Sequence, residues 1–178
     1  MATQKTVEWV IDHKFDRRKC RHTMGDVPMV LHCHHYTSNY LRLADDAKDM
    51  NGKAIMCKAS EAAFLPVFKS YFAQHQIHDL AERVGLIEEY WRMSGMGLLQ
   101  FERIGAMSAM VRMPRSHADE GWVKKWGKRK DPINFIGQGY LMAAMAAIFD
   151  ESAGSFSVTE TQSIVSGAEA SLFTIVRS

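Results

Sequence analysis

Residues 32–35 read His-Cys-His-His, inside the stretch VLHCHHYTS (30–38). Three imidazoles and a thiol in four positions can ligate a transition metal, move a proton or line a pocket. Histidine suits proton transfer because its unperturbed pKa lies at about 6.5. VPMVLHCHH (27–35) has the β-branched and apolar character of a strand, with Pro28 at its start, where a missing N–H is tolerated. Side chains alternate along a strand, so His32 and His34 would share one face and Cys33 and His35 the other. Two imidazoles at i, i+2 can grip one zinc, copper or iron ion if a third ligand comes from elsewhere. The plainer reading is that His32 and His34 are hydrogen-bonded pocket residues without metal.

Other chemistry-bearing groups read more blandly. His75 and His78, at i, i+3, could meet on one helical face, but AQHQIHD is polar and fits a solvated surface. The basic run Lys124, Lys125, Lys128, Arg129 and Lys130 is interleaved with Trp122 and Trp126, as a nucleic-acid stripe would be. With a formal net charge of only +2 and no recognised binding motif, a solvated loop is the simpler account, and no nucleic-acid partner is expected. There is no G-x-S-x-G, Walker loop or dinucleotide fingerprint.

The elements that must position these residues follow from pattern. TVEWVI (6–11) alternates as a short strand, and DHKFDRRKCRHTMGD is charged and turn-rich. Beyond the histidines, Tyr40, Leu41, Leu43, Ala44 and Ala47 fit a helix capped by Thr37 or Ser38 and stopped at Asn51-Gly52. Ser60 would cap a second helix, in which Pro66 is awkward unless it falls in the first turns. Helix then continues from His75 to Tyr90 with a possible break near Gly85. GLLQFERIGAMSAMVRMPRS predicts a hairpin about Gly105, and GWVKKWGKRKDP a basic segment ending in a loop. NFIGQGYLMAAMAAIF predicts an apolar helix, and FSVTETQSIV with SLFTIVRS a final hairpin about SGAEA. The order predicts a single α+β domain over 1–178, with helices packed on a small antiparallel sheet built from hairpins.

At 178 residues the chain suits one core, and 47% hydrophobic with 24% charged residues is ordinary for a folded soluble protein. Three cysteines without framework spacing, Cys20, Cys33 and Cys57, point to a reducing, cytoplasmic setting. MATQKTVEWV is too polar for a signal peptide. The longest apolar run, YLMAAMAAIF, falls well short of the roughly 20 residues that span a bilayer, so no membrane span is expected. Twelve methionines fit an irregular core or an adaptable apolar pocket.

The stretches GMGLLQFERI, MPRSHADEGW, IGQGYLMAAM and VTETQSIVSGAEASLFTIV together resemble the 4-vinyl reductase domain. The resemblance is better over 60–178 and looser over the N-terminal hairpin and helix of 1–59. It implies a fold related to TRAPP trafficking subunits, a homodimer, and an internal site for a small apolar or aromatic molecule. The family's tail carries Glu-x-x-Cys, seven residues and a second Cys, which hold a structural zinc with a further cysteine at the start of the apolar helix. Here Glu160 is kept, both cysteines are serines, Ser163 and Ser171, and Ile133, Asn134 and Phe135 stand near the helix start. The zinc is therefore expected to be absent, since a serine hydroxyl is a poor zinc ligand. By the same resemblance His117, following Ser116, and Tyr140 fall at ligand-contacting positions. Trp91, Phe101, Trp122 and Phe135 could supply apolar walls by pattern, and His34 would join them if its strand faces the pocket.

A binding module acting as sensor or accessory protein is the leading expectation. An enzyme using His32 and His34, with His117 or Glu160, as metal ligands or as acid and base is the alternative. A structural scaffold is the third reading.

Overall fold

A computed structural model describes residues 12–25 and 27–178, and the strand expected over 6–11 lies outside them. The chain opens with an antiparallel meander, β1 (His13–Asp16), β2 (Arg21–Met24) and β3 (Val27–Met29). Helices α1 (His34–Asp46), α2 (Gly52–Gln74) and α3 (Leu80–Met93) follow. A hairpin of β4 (Gly97–Ile104) and β5 (Ser108–Ser116) leads into α4 (His117–Trp126) and α5 (Phe135–Ile148). Strands β6 (Phe156–Gln162) and β7 (Ser171–Arg177) complete a second antiparallel sheet of order β4-β5-β7-β6. This is the α+β single domain that the pattern predicted, and no helix among the described residues is long and apolar enough to cross a membrane.

Helix α5 lies at the centre. Eleven of its residues, from Phe135 to Ile148, are buried, as expected of a helix that is apolar on every side. One sheet face packs on it through Ala109, Val111 and Met113 of β5 and Phe173 and Ile175 of β7, which alternate with more exposed neighbours. Helix α2 covers α5 from another side, and the crossing is close. A Cβ on Gly139 would stand 2.1 Å from the Cys57 carbonyl oxygen, and Ser60 donates to the Ile136 carbonyl at 2.8 Å. A second, smaller core joins Leu41, Trp122, Ile133, Phe135 and Val165 under α1 and α4.

Five local expectations are corrected. Strand β3 ends at Met29, because β2 offers it only three partners, and Val30–Cys33 run on exposed and unpaired. Helical periodicity then takes over earlier than expected: Thr37, Ser38, Leu41, Ala44 and Asp45 form one buried face, so the helix starts at His34 with Cys33 as N-cap. His32 and His34 are consequently not alternate residues of one strand face. Ser60 lies inside α2, which begins at Gly52, and Pro66 sits mid-helix, exposed. The carbonyl of Ala62 that Pro66 cannot serve is on an exposed residue, where water can replace the lost donor. The interruption expected near Gly85 comes earlier, where Asp79 caps α3 through the N–H groups of Ala81 and Glu82. The basic segment GWVKKW belongs to α4, whose last-turn Lys124 and Lys125 complement the helix dipole.

Gly139→Ala should cost about 3 kcal/mol of stability, since the new methyl meets backbone that cannot move aside cheaply. Chemical denaturation checks this, and a midpoint equal to that of the parent chain would refute the close crossing.

Candidate functional site

Two assemblies contain most of the residues singled out in the sequence. The first is a ring cluster in the main core. Tyr140 of α5 meets Trp91 of α3 at 4.5 Å between ring centroids, and Phe64 and Phe68 of α2 at 4.9 and 5.1 Å in edge geometry. Such tilted and edge contacts suit the ring quadrupoles. The Tyr140 hydroxyl donates to the Ile87 carbonyl at 2.6 Å, and burial pushes its pKa well above the usual tyrosine value. Trp91 is fully buried, yet its indole Nε1–H has no acceptor among the described residues. Phe101 packs at the margin of this core, and its N–H donates to Glu88 at 2.7 Å. Trp122 lies apart, in the second core with Phe135, tilted against Trp126 and under the Arg129 guanidinium.

The second assembly forms where α1 meets α4. His34 and His117 are the first residues of the two helices, and their rings stand 6.2 Å apart edge to face. Gly121 permits this approach: a Cβ there would lie 2.7 Å from the His34 Cβ. His117 is tied to the ring cluster through backbone, its N–H donating to Met96 O while the Met96 N–H donates to Trp91 O. His34 Nε2 and His117 Nε2 are both shielded from solvent, and neither has a hydrogen-bond partner among the described residues. Burial, then the neighbouring His35, Lys124 and His117, lower the His34 pKa. His32 turns elsewhere and stacks on Tyr36 at 4.9 Å. Among the described residues no three His, Cys, Asp or Glu side chains gather as a metal-ligand set.

Beneath the first turn of α4 lies a buried polar cluster. Asn134 caps α5 by accepting the Gly137 N–H at 2.9 Å, and its Nδ2 donates to Asp119 Oδ2 at 3.0 Å and Ser116 Oγ at 3.2 Å. The bulge in β6, where Glu160 pairs with Phe173 and Gln162 with Leu172, carries Glu160 at the edge of this cluster. Ser163 and Ser171 accept backbone N–H groups of Val165 and Ile164. Among the described residues Asp119 Oδ1 and both oxygens of Glu160 have no partner in full hydrogen-bond geometry, although Ser163, Ser171 and the Asn134 backbone lie close enough to stabilise the Glu160 carboxylate. Burial pushes Asp119 up to about 6, and burial followed by the nearby Asp119 pushes Glu160 up to about 7. This donor set does not suit zinc: Ser163 and Ser171 replace thiolates, and Asn134 presents an amide N–H to Asp119.

The residues that sequence reasoning grouped are thus divided. Trp91 and Tyr140 come together, His34 and His117 come together, and Trp122 joins neither pair. Asp119 was overlooked. Its signal was Ser116-x-x-Asp119, a capping pattern in which Ser116 Oγ accepts the Asp119 N–H at 3.2 Å.

No protein-family model matches the chain, nor does any curated protein sequence. Among solved structures it is similar to the phenol-responsive sensory domain of the transcription activator PoxR, crystallised with phenol, at a TM-score of 0.78. That match covers 93% of this chain and 84% of the other at 10% sequence identity. The fold is shared with a phenol-responsive sensory domain.

The carboxyl pair sets a pH dependence. Folded-state pKa values raised above those of the unfolded chain mean that the folded protein holds protons the unfolded chain would release. The resulting stability is full below about pH 4, falls as pH rises through about 6 to 7, and is flat above. Glu160→Gln should flatten that slope and raise stability at about pH 8 by ~1–2 kcal/mol. Melting curves across this range test it; a parallel pair of profiles would show that Glu160 does not titrate there.

Proposed function

We propose that the protein is a small-molecule-binding module of the 4-vinyl reductase type, a sensor or accessory protein that takes a small apolar or aromatic molecule. The observation that carries the reading is the Trp91 indole N–H, fully buried among aromatic rings with no acceptor among the described residues. An unmet buried donor costs about 1–3 kcal/mol, and a ligand oxygen placed there would recover it. Trp91, Tyr140 and Phe101 supply the apolar walls, and the Tyr140 hydroxyl, already committed to Ile87, presents its ring rather than its oxygen. The shared fold supports this reading, because the PoxR domain is described as phenol-responsive and holds phenol. Clefts of about 570 and 370 Å³ lie against β1–β3 and beside α4, away from Trp91 and Tyr140. The ring cluster closes on itself in this conformation, so ligand entry requires Phe64, Phe68 or Tyr140 to shift, and binding selects that opened arrangement. The homodimer and the cytoplasmic setting belong to the same proposal and rest on the resemblance and on the free cysteines Cys20, Cys33 and Cys57.

Calorimetric titration with phenol and a set of substituted phenols tests the assignment. Trp91→Phe keeps an aromatic ring and removes the donor, and should weaken binding about tenfold or more, with a lower melting temperature because the smaller ring leaves a cavity. Affinity unchanged in that variant, or no aromatic compound binding at all, would remove Trp91 and the reading with it.

A further inference from the structure

We propose that the outer face of the β1–β3 meander binds a phosphate group, carried by a soluble organic phosphate or by a lipid headgroup. These strands supply none of the rings around Trp91, so the site stands apart from the proposed aromatic one.

Alternation along these short strands separates two faces. On one, His13 pairs with Met24 and His22 with Met29; Met24 is buried and Met29 packs on the main core, so this face turns inward. The opposite face carries Lys14, Thr23 and Pro28 in one row across all three strands, with Asp16 and Arg21 paired beside them. A cleft of about 570 Å³ opens on that face, and Lys19 and Phe15 complete its walls. Such a volume suits a small molecule or a headgroup. The strands are only three or four residues long, roughly 10–13 Å, a footprint too short for an extended run of nucleotides.

Charge selects the ligand. Residues 14–21 hold Lys14, Arg17, Arg18, Lys19 and Arg21 against the single carboxylate of Asp16, in a chain whose formal net charge is only +2. That carboxylate is spent on its own turn. Its Oδ1 accepts the Arg18 and Lys19 N–H groups at 2.9 and 3.1 Å, and its Oδ2 faces Lys19 Nζ at 4.0 Å. Asp16 thereby fixes the turn that presents Arg17, Arg18 and Lys19. Lys14 pairs with Asp12 at 2.5 Å, but both groups are exposed, and an exposed pair contributes only about 0–1 kcal/mol, so a phosphate can compete for the ammonium. Arg21 is exposed and makes no ion pair among the described residues. A guanidinium offers a planar fork that matches phosphate oxygens, and lysines add point charges. Phe15, stacked on His22 at 4.5 Å, and Pro28 give the organic part of the ligand an apolar surface.

The experiment is calorimetric titration of the full chain with phenyl phosphate and, separately, inorganic phosphate, paired with sedimentation on phosphatidylcholine vesicles with and without phosphatidic acid. The expected result is saturable binding of phenyl phosphate, tighter than that of inorganic phosphate because Phe15 and Pro28 meet the ring. Arg21→Gln and Lys19→Gln should each weaken it about tenfold, and the double variant should abolish it. Melting temperatures should stay unchanged, since both side chains are exposed. Trp91→Phe should leave phenyl phosphate affinity as it was, whatever it does to phenol binding. Capture on vesicles containing phosphatidic acid, lost in the double variant, assigns the phosphate to a lipid headgroup. A calorimetric response without such capture assigns it to a soluble organic phosphate. No saturable response to phenyl phosphate or to vesicles, affinity that survives the double variant, or binding confined to a single-stranded oligonucleotide would overturn the proposal.

Discussion

The burial of α5 is the constraint on which the rest of this structure depends. A helix apolar around its whole circumference is stable in water only if every side is covered. Helix α2 takes one side, the inner faces of β5 and β7 take another, and Tyr140 reaches α3. Coverage by α2 requires a helix with no side chain at the crossing, which Gly139 provides. The aromatic cluster grows from that requirement. Once α2 and α3 both lean on α5, Phe64, Phe68, Trp91 and Tyr140 have nowhere to point except toward each other.

Helix α4 is the organising element for charge. Its first turn looks two ways, with His117 toward α1 and Asp119 toward the interior. Above it gather His34, His35 and Lys124; below it lie Asp119 and Glu160. Ser116 and Asn134 hold the two sides in register, Ser116 by capping Asp119 and Asn134 by spanning from α5 to both. Asn134 serves α5 and the polar cluster at once, because its oxygen caps the helix while its nitrogen faces the carboxylate. A change at this one asparagine would be felt in both.

Much of this was legible in the sequence where glycine, proline and an uninterrupted apolar run mark boundaries. The hairpin of β4 and β5, the helix α5 and the final pair β6 and β7 follow such marks. The histidine stretch misled because β-branched residues upstream suggested a strand, whereas a strand persists only as far as it finds a partner. Helix α4 was hidden by its charge: the buried stripe of Ala118, Gly121 and Trp122 is short and broken by Lys124 and Lys125. Within the candidate site, resemblance brought out His117 and Tyr140, and composition brought out His34. Neither could show that His34 faces His117 rather than His32, because that depends on the packing of α1 against Gly121. The unmet donor of Trp91 is likewise a property of three-dimensional surroundings, which no residue pattern encodes.

The order β4-β5-β7-β6 places β7 in the interior of its sheet, between β5 and β6. During translation, β5 and β6 are therefore both made before the strand that separates them in the finished sheet. Until Arg177 has left the ribosome, β5 keeps one unpaired edge and β6 has no partner at all. Exposed edges of this kind invite pairing with other chains. At synthesis rates of about 5–20 residues per second, that exposure lasts from the emergence of β5 onward, several seconds for each molecule. A premature stop before Ser171 would make that exposure permanent, with β5 open along one edge and β6 without a partner.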